Sequence, residues 1–134
     1  MEFKSASSVD RAAILLHDRW IAPGELDEKI RRKQVLVLRV AGQFAGWLRW
    51  SMFWDNTPFL NMLHLQENYR RSGYGTEMMR FWETQMKEAG FHLVLTSTSS
   101  AETAQHFYRK LGYIEIGGFT IPGEPLEILF QKIL

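Results

Sequence analysis

The sequence predicts a mixed α/β (α+β) domain with a central sheet and helices packed around it. Three observations predict it. Short Val- and Leu-rich runs alternate with segments of helical period. Three consecutive strand-like runs are joined by turn residues, as in an antiparallel meander. A strand–helix–strand unit spans residues 59 to 96, and its right-handed crossover makes the two strands parallel.

The elements follow in order. Glu2 to Ala6 reads as an edge strand. Ser7 and Asp10 have capping-box spacing, and Ala13, Leu16 and Trp20 continue at helical spacing until Pro23-Gly24 stops the helix. Glu25 to Lys33 is a second helix with the apolar pair Leu26 and Ile30. Val35 to Val40 is a buried strand, Ala41 to Gln43 a turn, and Phe44 to Trp54 its hairpin partner. After Asp55 to Pro58, Phe59 to Leu65 is the third strand. Met78, Met79, Trp82 and Met86 mark one face of a helix over Gly75 to Ala89, closed by Gly90. Methionines in such a stripe are core filler. Phe91 to Thr96 is a buried strand. Ser99 and Glu102 have the second capping-box spacing and open a helix that runs through Leu111 to Gly112. Tyr113 to Ile116 and Leu126 to Ile133 are the last two strands, joined by a Gly/Pro-rich loop.

Composition narrows the function. The chain of 134 residues fits one domain, 1–134, without linker or repeat. It has no cysteine, which removes disulfides, thiolate metal sites and a cysteine nucleophile. With 16 Lys and Arg against 15 Asp and Glu, it lacks the basic excess of a nucleic-acid binder. Its one dense basic run, Lys29 to Lys33, reads as a solvated helix end. No stretch approaches the roughly 20 apolar residues of a membrane span, and no signal peptide is legible, so a soluble cytoplasmic protein is expected. His17, His64, His92 and His106 have no zinc-ligand spacing, so no metal is expected. A Gly-x-Ser-x-Gly elbow is absent.

The chemistry concentrates where a strand runs through Gln66 to Tyr69 into Arg70-Arg71-Ser72-Gly73-Tyr74-Gly75 and then a helix. A helix N-terminus leaves its first N–H groups unpaired and carries partial positive charge. Glycines let phosphate oxygens approach the backbone, and two arginines add full charge. A pyrophosphate suits this loop. Thr76 and Glu77 follow Gly75, so it is no P-loop; Met78 occupies the third-glycine position of a dinucleotide fingerprint.

Arg-x-x-Gly-x-Gly at a strand-to-helix junction resembles the acyl-CoA signature of the GNAT superfamily of N-acetyltransferases. Ala104 to Tyr113, with Phe107-Tyr108 and Lys110-Leu111-Gly112-Tyr113, resembles that family's later motif. The resemblance covers the chain and is weakest before Phe44. It implies a mostly antiparallel sheet of about six to seven strands with one splayed parallel pair, flanked by about four helices. It implies that acetyl-CoA is the acyl donor. The pantetheine would pair with backbone at Leu63, His64 and Leu65, and amides of the segment Arg70, Arg71, Ser72, Gly73, Tyr74, Gly75 and Thr76 would hold the pyrophosphate. Tyr108 resembles the tyrosine that protonates the departing thiolate; a phenol of pKa about 10 is protonated at neutral pH. The implied activity is acetyl transfer to a primary amine of a small molecule or peptide by direct attack on the thioester, with a non-catalytic acyl-CoA-binding regulatory domain as the alternative.

Two features depart from the family pattern. The strand before the loop offers no carboxylate, so the proton acceptor is open between His64, a water on Asn61, and a backbone carbonyl; Glu67 turns towards the loop. Ala101 stands where an asparagine often contacts the pantetheine, with Ser99 or Ser100 as substitutes. Trp47, Trp50, Phe53 and Trp54 crowd one strand. Alternation puts Trp50 and Trp54 on one face and Trp47 and Phe53 on the other, with Trp20 and Phe119 as further candidates for an acceptor wall. The acceptor and the oligomeric state, a homodimer included, are not written in the sequence.

Overall fold

The computed structural model describes all residues, Met1–Leu134. Strands β1 (Glu2–Ser5), β2 (Val35–Val40), β3 (Gln43–Phe53), β4 (Thr57–Leu65), β5 (Leu93–Ser99), β6 (Ile114–Phe119) and β7 (Glu127–Ile133) form one sheet in the order β1-β2-β3-β4-β5-β7-β6. Helices α1 (Arg11–His17), α2 (Pro23–Arg31), α3 (Tyr74–Glu88) and α4 (Ala104–Lys110) accompany it. The pair β4–β5 is parallel, as the crossover rule requires, and its register covers Phe59↔Leu95 and Leu60↔Thr96. The other registered pairs, β1–β2, β2–β3, β5–β7 and β6–β7, are antiparallel.

Two compact units make up the chain. The first comprises Met1–Trp50 and Met62–Trp82. Its core joins Ala6, Ile14, Leu26, Val35, Val37 and Trp47, with Leu15, Ile21, Ile30, Phe44 and Met62 packed against them. Ser7 and Asp10 do form the expected box, the Ser7 N–H donating to Asp10 Oδ2 at 2.9 Å. That box caps a single 3₁₀ turn, and α1 follows for two turns only. Three expectations fail here. Leu16 and Trp20 are exposed, so Ile14 and not the Ala13–Leu16–Trp20 stripe anchors α1. Pro23 does not stop a helix; it starts α2 at a position where its missing N–H costs nothing. The helix then ends at Arg31.

The second unit comprises Ser51–Asn61 and Glu83–Leu134. Val94, Ile128 and Phe130 are buried in it, together with Tyr108 and Tyr113. Glu83 is buried yet fully used: Tyr113 Oη donates to it at 2.9 Å and Lys132 Nζ at 2.8 Å. Burial, then the neighbouring carboxylate, push the Tyr113 phenol far above its ordinary range, so it stays a donor. Strand β3 ends at Phe53, and Trp54 enters the turn at φ 54°, so Trp54 leaves the Trp50 face and packs beside Phe53 at 4.9 Å. Ser99 does not cap α4. Its Oγ accepts from Ala101 N–H at 3.2 Å in a local turn, and Thr103 is the N-cap residue.

Candidate functional site

In the first unit, β4 delivers the chain into the loop. Gly46 on β3 lets β4 approach closely, since a Cβ there would lie 2.3 Å from His64 O and 2.9 Å from Leu65 Cδ2. The Gln66 N–H donates to Ala45 O at 2.9 Å and holds the end of β4. A 3₁₀ turn at Glu67–Tyr69 then leads to Arg70, whose Nε donates back to Leu65 O at 2.8 Å. Leu63, His64 and Leu65 are thus partly buried on a strand end pinned from both sides.

Beyond Arg70 the backbone curls. Arg71 adopts φ 62° and Gly73 φ 85°, both left-handed, before α3 begins at Tyr74. Such a curl points successive amides towards one side, as in anion-binding nests. The Glu77 N–H is bonded to Gly73 O at 3.1 Å, so α3's ladder starts there. Amides up to Thr76 precede the first helical bond and have no carbonyl of their own helix to meet. Arg70, Arg71, Ser72 and Gly73 are exposed, Tyr74 and Thr76 partly so, and Gly75 is buried. Nothing lies within 4 Å of a Cβ built on Gly73; its requirement for glycine is conformational, not steric.

His64 points its ring into a cluster of aromatic rings. It stacks on Trp47 at 4.4 Å between centroids and on His17 at 5.5 Å. His17 is the last residue of α1 and is exposed. Next to it, Asp18 is buried and receives Arg49 Nε at 2.8 Å, Arg49 Nη2 at 3.5 Å and the Trp20 N–H at 3.1 Å. Burial lowers the His64 pKa first; the positive charges of Arg70 and His17 lower it further, against a smaller opposing pull from Asp18. The imidazole is therefore neutral at pH 7 and able to accept a proton. Asn61 is exposed on β4. Trp20 is also exposed, with the Arg19 guanidinium 5.1 Å from its ring.

In the second unit, α4 turns Tyr108 into the interior, where its ring meets Phe107, Tyr113 and Phe130 at 5.2, 5.7 and 6.4 Å. Only 7% of Tyr108 is exposed. Desolvation pushes its pKa up to about 12, against a smaller lowering influence of the neighbouring Thr96 hydroxyl. Thr96 is itself buried, and its Oγ1 donates to Leu60 O at 3.1 Å, at the last registered pair of β4 with β5. Phe119 is half-exposed on β6, and Ala101 is exposed.

Three residues here carry no catalytic or binding assignment from the sequence alone. Thr96 was visible only as a hydroxyl in an apolar strand. His17 meets Trp47 and His64, and Asp18 meets Arg49, all far along the chain and without a local spacing. No group of three or more His, Asp or Glu is arranged to hold a metal, and no helix is long and apolar enough to cross a membrane.

Comparison with known proteins agrees with this architecture. Residues 7–113 match the model of the acetyltransferase (GNAT) family. A segment of 77 residues is 32% identical to a probable N-acetyltransferase 14 of Xenopus tropicalis, covering 57% of this chain and 37% of that protein. Ard1 from Thermoplasma volcanium superimposes with a TM-score of 0.85 at 17% identity, over 99% of this chain and 97% of that one. PaiA N-acetyltransferase from Thermoplasma acidophilum, in complex with coenzyme A, gives 0.83 at 17% identity over 99% and 98%. A ribosomal-protein-alanine N-acetyltransferase from Brucella melitensis gives 0.82 at 18% identity over the whole of both chains. At these identities the structures speak for the fold, and the family match, which spans most of the chain, makes this protein a member of the acetyltransferase (GNAT) family.

Proposed function

We propose that the chain transfers an acetyl group from acetyl-CoA to a primary amine of a small molecule or peptide. The observation that carries this reading is the curl at Arg71 and Gly73, which feeds unpaired amides into the first turn of α3 beside two exposed arginines. That arrangement suits a pyrophosphate. The backbone of Leu63 to Leu65, on the pinned end of β4, is the proposed partner of pantetheine. A coenzyme A complex of a structural neighbour supports the donor assignment.

Tyr108 is the proposed acid. The tetrahedral intermediate collapses by breaking its C–S bond, and the phenol gives the sulfur a proton. Burial keeps that phenol protonated throughout the neutral range. The nitrogen's second proton restores it, and no metal is needed.

Calorimetry with acetyl-CoA, together with thiol release on an amine panel, tests the reading. Binding and thiol release on at least one amine are expected; no heat and no thermal shift with acetyl-CoA would end it. The regulatory-domain alternative draws on Ala101 and on a β4 without carboxylates. It predicts binding without thiol release on any amine.

A further inference from the structure

We propose that His64 receives the acceptor amine's proton and that His17, stacked on the same ring at the end of α1, is its positioning residue. The inference rests on the acetyltransferase reading above. It answers a need which that reading leaves open, because an amine is protonated at neutral pH and must lose a proton before it can attack.

His64 is partly buried on β4 and flanked by two rings, Trp47 at 4.4 Å and His17 at 5.5 Å, tilted by 30° and 20° from its plane. Stacking fixes the plane of the imidazole and leaves its edge nitrogens free for an in-plane proton transfer. Neither nitrogen has a hydrogen-bond partner among the side-chain bonds of the first unit, which otherwise consume the charged groups around it.

The charged surroundings point the same way from each element packed against the ring. From α1 comes His17, and two stacked imidazolium rings repel. From the loop comes Arg70, held near by its bond to Leu65 O. The one anion close by is Asp18, and Arg49 of β3 already grips both of its oxygens. A positive charge on His64 therefore gains little, and the neutral ring is the resting form. The exposed His17 marks the solvent side of the cluster, the route by which the imidazolium returns its proton to water.

The proton balance closes. Neutral His64 takes one proton from R–NH3⁺, the freed R–NH2 forms the C–N bond, and the C–S bond breaks. The nitrogen's second proton ends on the departing sulfur, and the imidazolium releases the first to solvent.

The test uses ¹⁵N-labelled full-length protein, wild type, His17→Phe and His64→Gln. His17→Phe keeps a ring on the stack and removes its charge. Side-chain NMR titration over about pH 4.5–8.5 follows the four imidazoles, with His64→Gln assigning one of them. In wild type the His64 midpoint is expected below the ordinary histidine value, and His17→Phe is expected to raise it. The pH profile of kcat/KM is measured with three probes: a peptide with a free N-terminal alanine, an N-blocked lysine peptide, and 1,4-diaminobutane. Its acid limb should follow the NMR midpoint and move to higher pH in His17→Phe. His64→Gln should lose that limb and fall about 10²-fold or more at the plateau, far beyond the loss in His17→Phe.

A His64 midpoint that ignores His17→Phe overturns the positioning role. A His64→Gln enzyme that keeps both limb and plateau overturns the proton-acceptor role, and a large loss in Asn61→Ala would then move it to water on Asn61. Wild type that binds acetyl-CoA but acetylates none of the probes overturns the transfer reading and the proton role together, while the NMR shift still decides the coupling. Thermal midpoints of the three proteins separate these effects from unfolding.

Discussion

Tyr108→Phe removes one oxygen from the second unit, and the structure fixes what else should change. The ring contacts with Phe107, Tyr113 and Phe130 are made by carbon and survive. Thr96 keeps its bond to Leu60 O, so no buried hydroxyl is stranded. The stability loss is then that of one neutral hydrogen bond, about 1 kcal/mol. Turnover should fall far more, by about 10²-fold or above, because the departing thiolate loses its positioned acid. The Kd for acetyl-CoA should stay within about threefold, since the proposed role puts the phenol at the leaving sulfur and not at the pyrophosphate.

A second readout is independent of any acceptor. The Tyr108 pKa is about 12 in the folded chain against an ordinary 10. Its folded value is raised, so the protonated form is favoured by folding. The contribution is whole below about pH 10 and is lost as pH climbs from there to about 12, two units at about 1.4 kcal/mol each, or about 3 kcal/mol. Denaturant unfolding of Tyr108→Phe should show a shallower alkaline loss than wild type. Tyr113 contributes a loss of its own in both proteins. Equal thiol release by wild type and Tyr108→Phe would refute the assigned role, and an identical alkaline slope would refute the burial argument behind it.

Gly73→Ala forces a side chain into φ 85° with open space around it, so the folded state should lose about 1–2 kcal/mol. Acetyl-CoA affinity should drop at least about tenfold; an unchanged Kd in calorimetry would count against the cradle. Asp18→Asn leaves the buried Arg49 without its counter-charge and should cost about 3–5 kcal/mol in urea unfolding, with a loss below about 1 kcal/mol showing that the pair is not the anchor of the turn after α1. Arg70 lowers the His64 pKa in the free protein, and a bound pyrophosphate would neutralise that charge. The acid limb of kcat, which reports the bound enzyme, should then lie at higher pH than that of kcat/KM. Coincident limbs would show that Arg70 does not couple the two.

The parts of this fold that were legible in the sequence are those set by neighbours along the chain. The curl from Arg70 to Gly75 announces itself through glycine and arginine at fixed spacing. The methionine face of α3 follows from helical period, with Met78, Met79 and Trp82 fully buried. The misread places are those where one local signal has two uses. Proline ends helices and also begins them, and Pro23 does the second. Serine caps helices and also closes short turns, and Ser99 does the second while Thr103 takes the cap position. Leu16 and Trp20 continue a helical stripe on paper, but α1 is too short to bury more than Ile14 fully. His17 and His64 meet only because α1 and the end of β4 converge on Trp47, a tertiary fact without a spacing to betray it.

One physical cause sets both proposed proton carriers. Burial penalises charge whatever its sign, so it raises the pKa of a phenol and lowers that of an imidazole. Tyr108 moves up from 10 and His64 moves down from 6.5, each with desolvation as the leading cause. Amide formation from an ammonium needs a neutral acceptor for the nitrogen's proton and a neutral donor for the sulfur. Two oppositely directed shifts widen the pH interval in which both neutral forms coexist, at its acid end through His64 and at its alkaline end through Tyr108. A carboxylate on β4 could not share in this, because burial would raise its pKa towards neutrality and narrow the interval from the acid side. On the proposed roles, a β4 without a carboxylate is compatible with turnover. With His64 stacked on Trp47 in one unit and Tyr108 buried on α4 in the other, each proposed proton carrier is held neutral by its own burial.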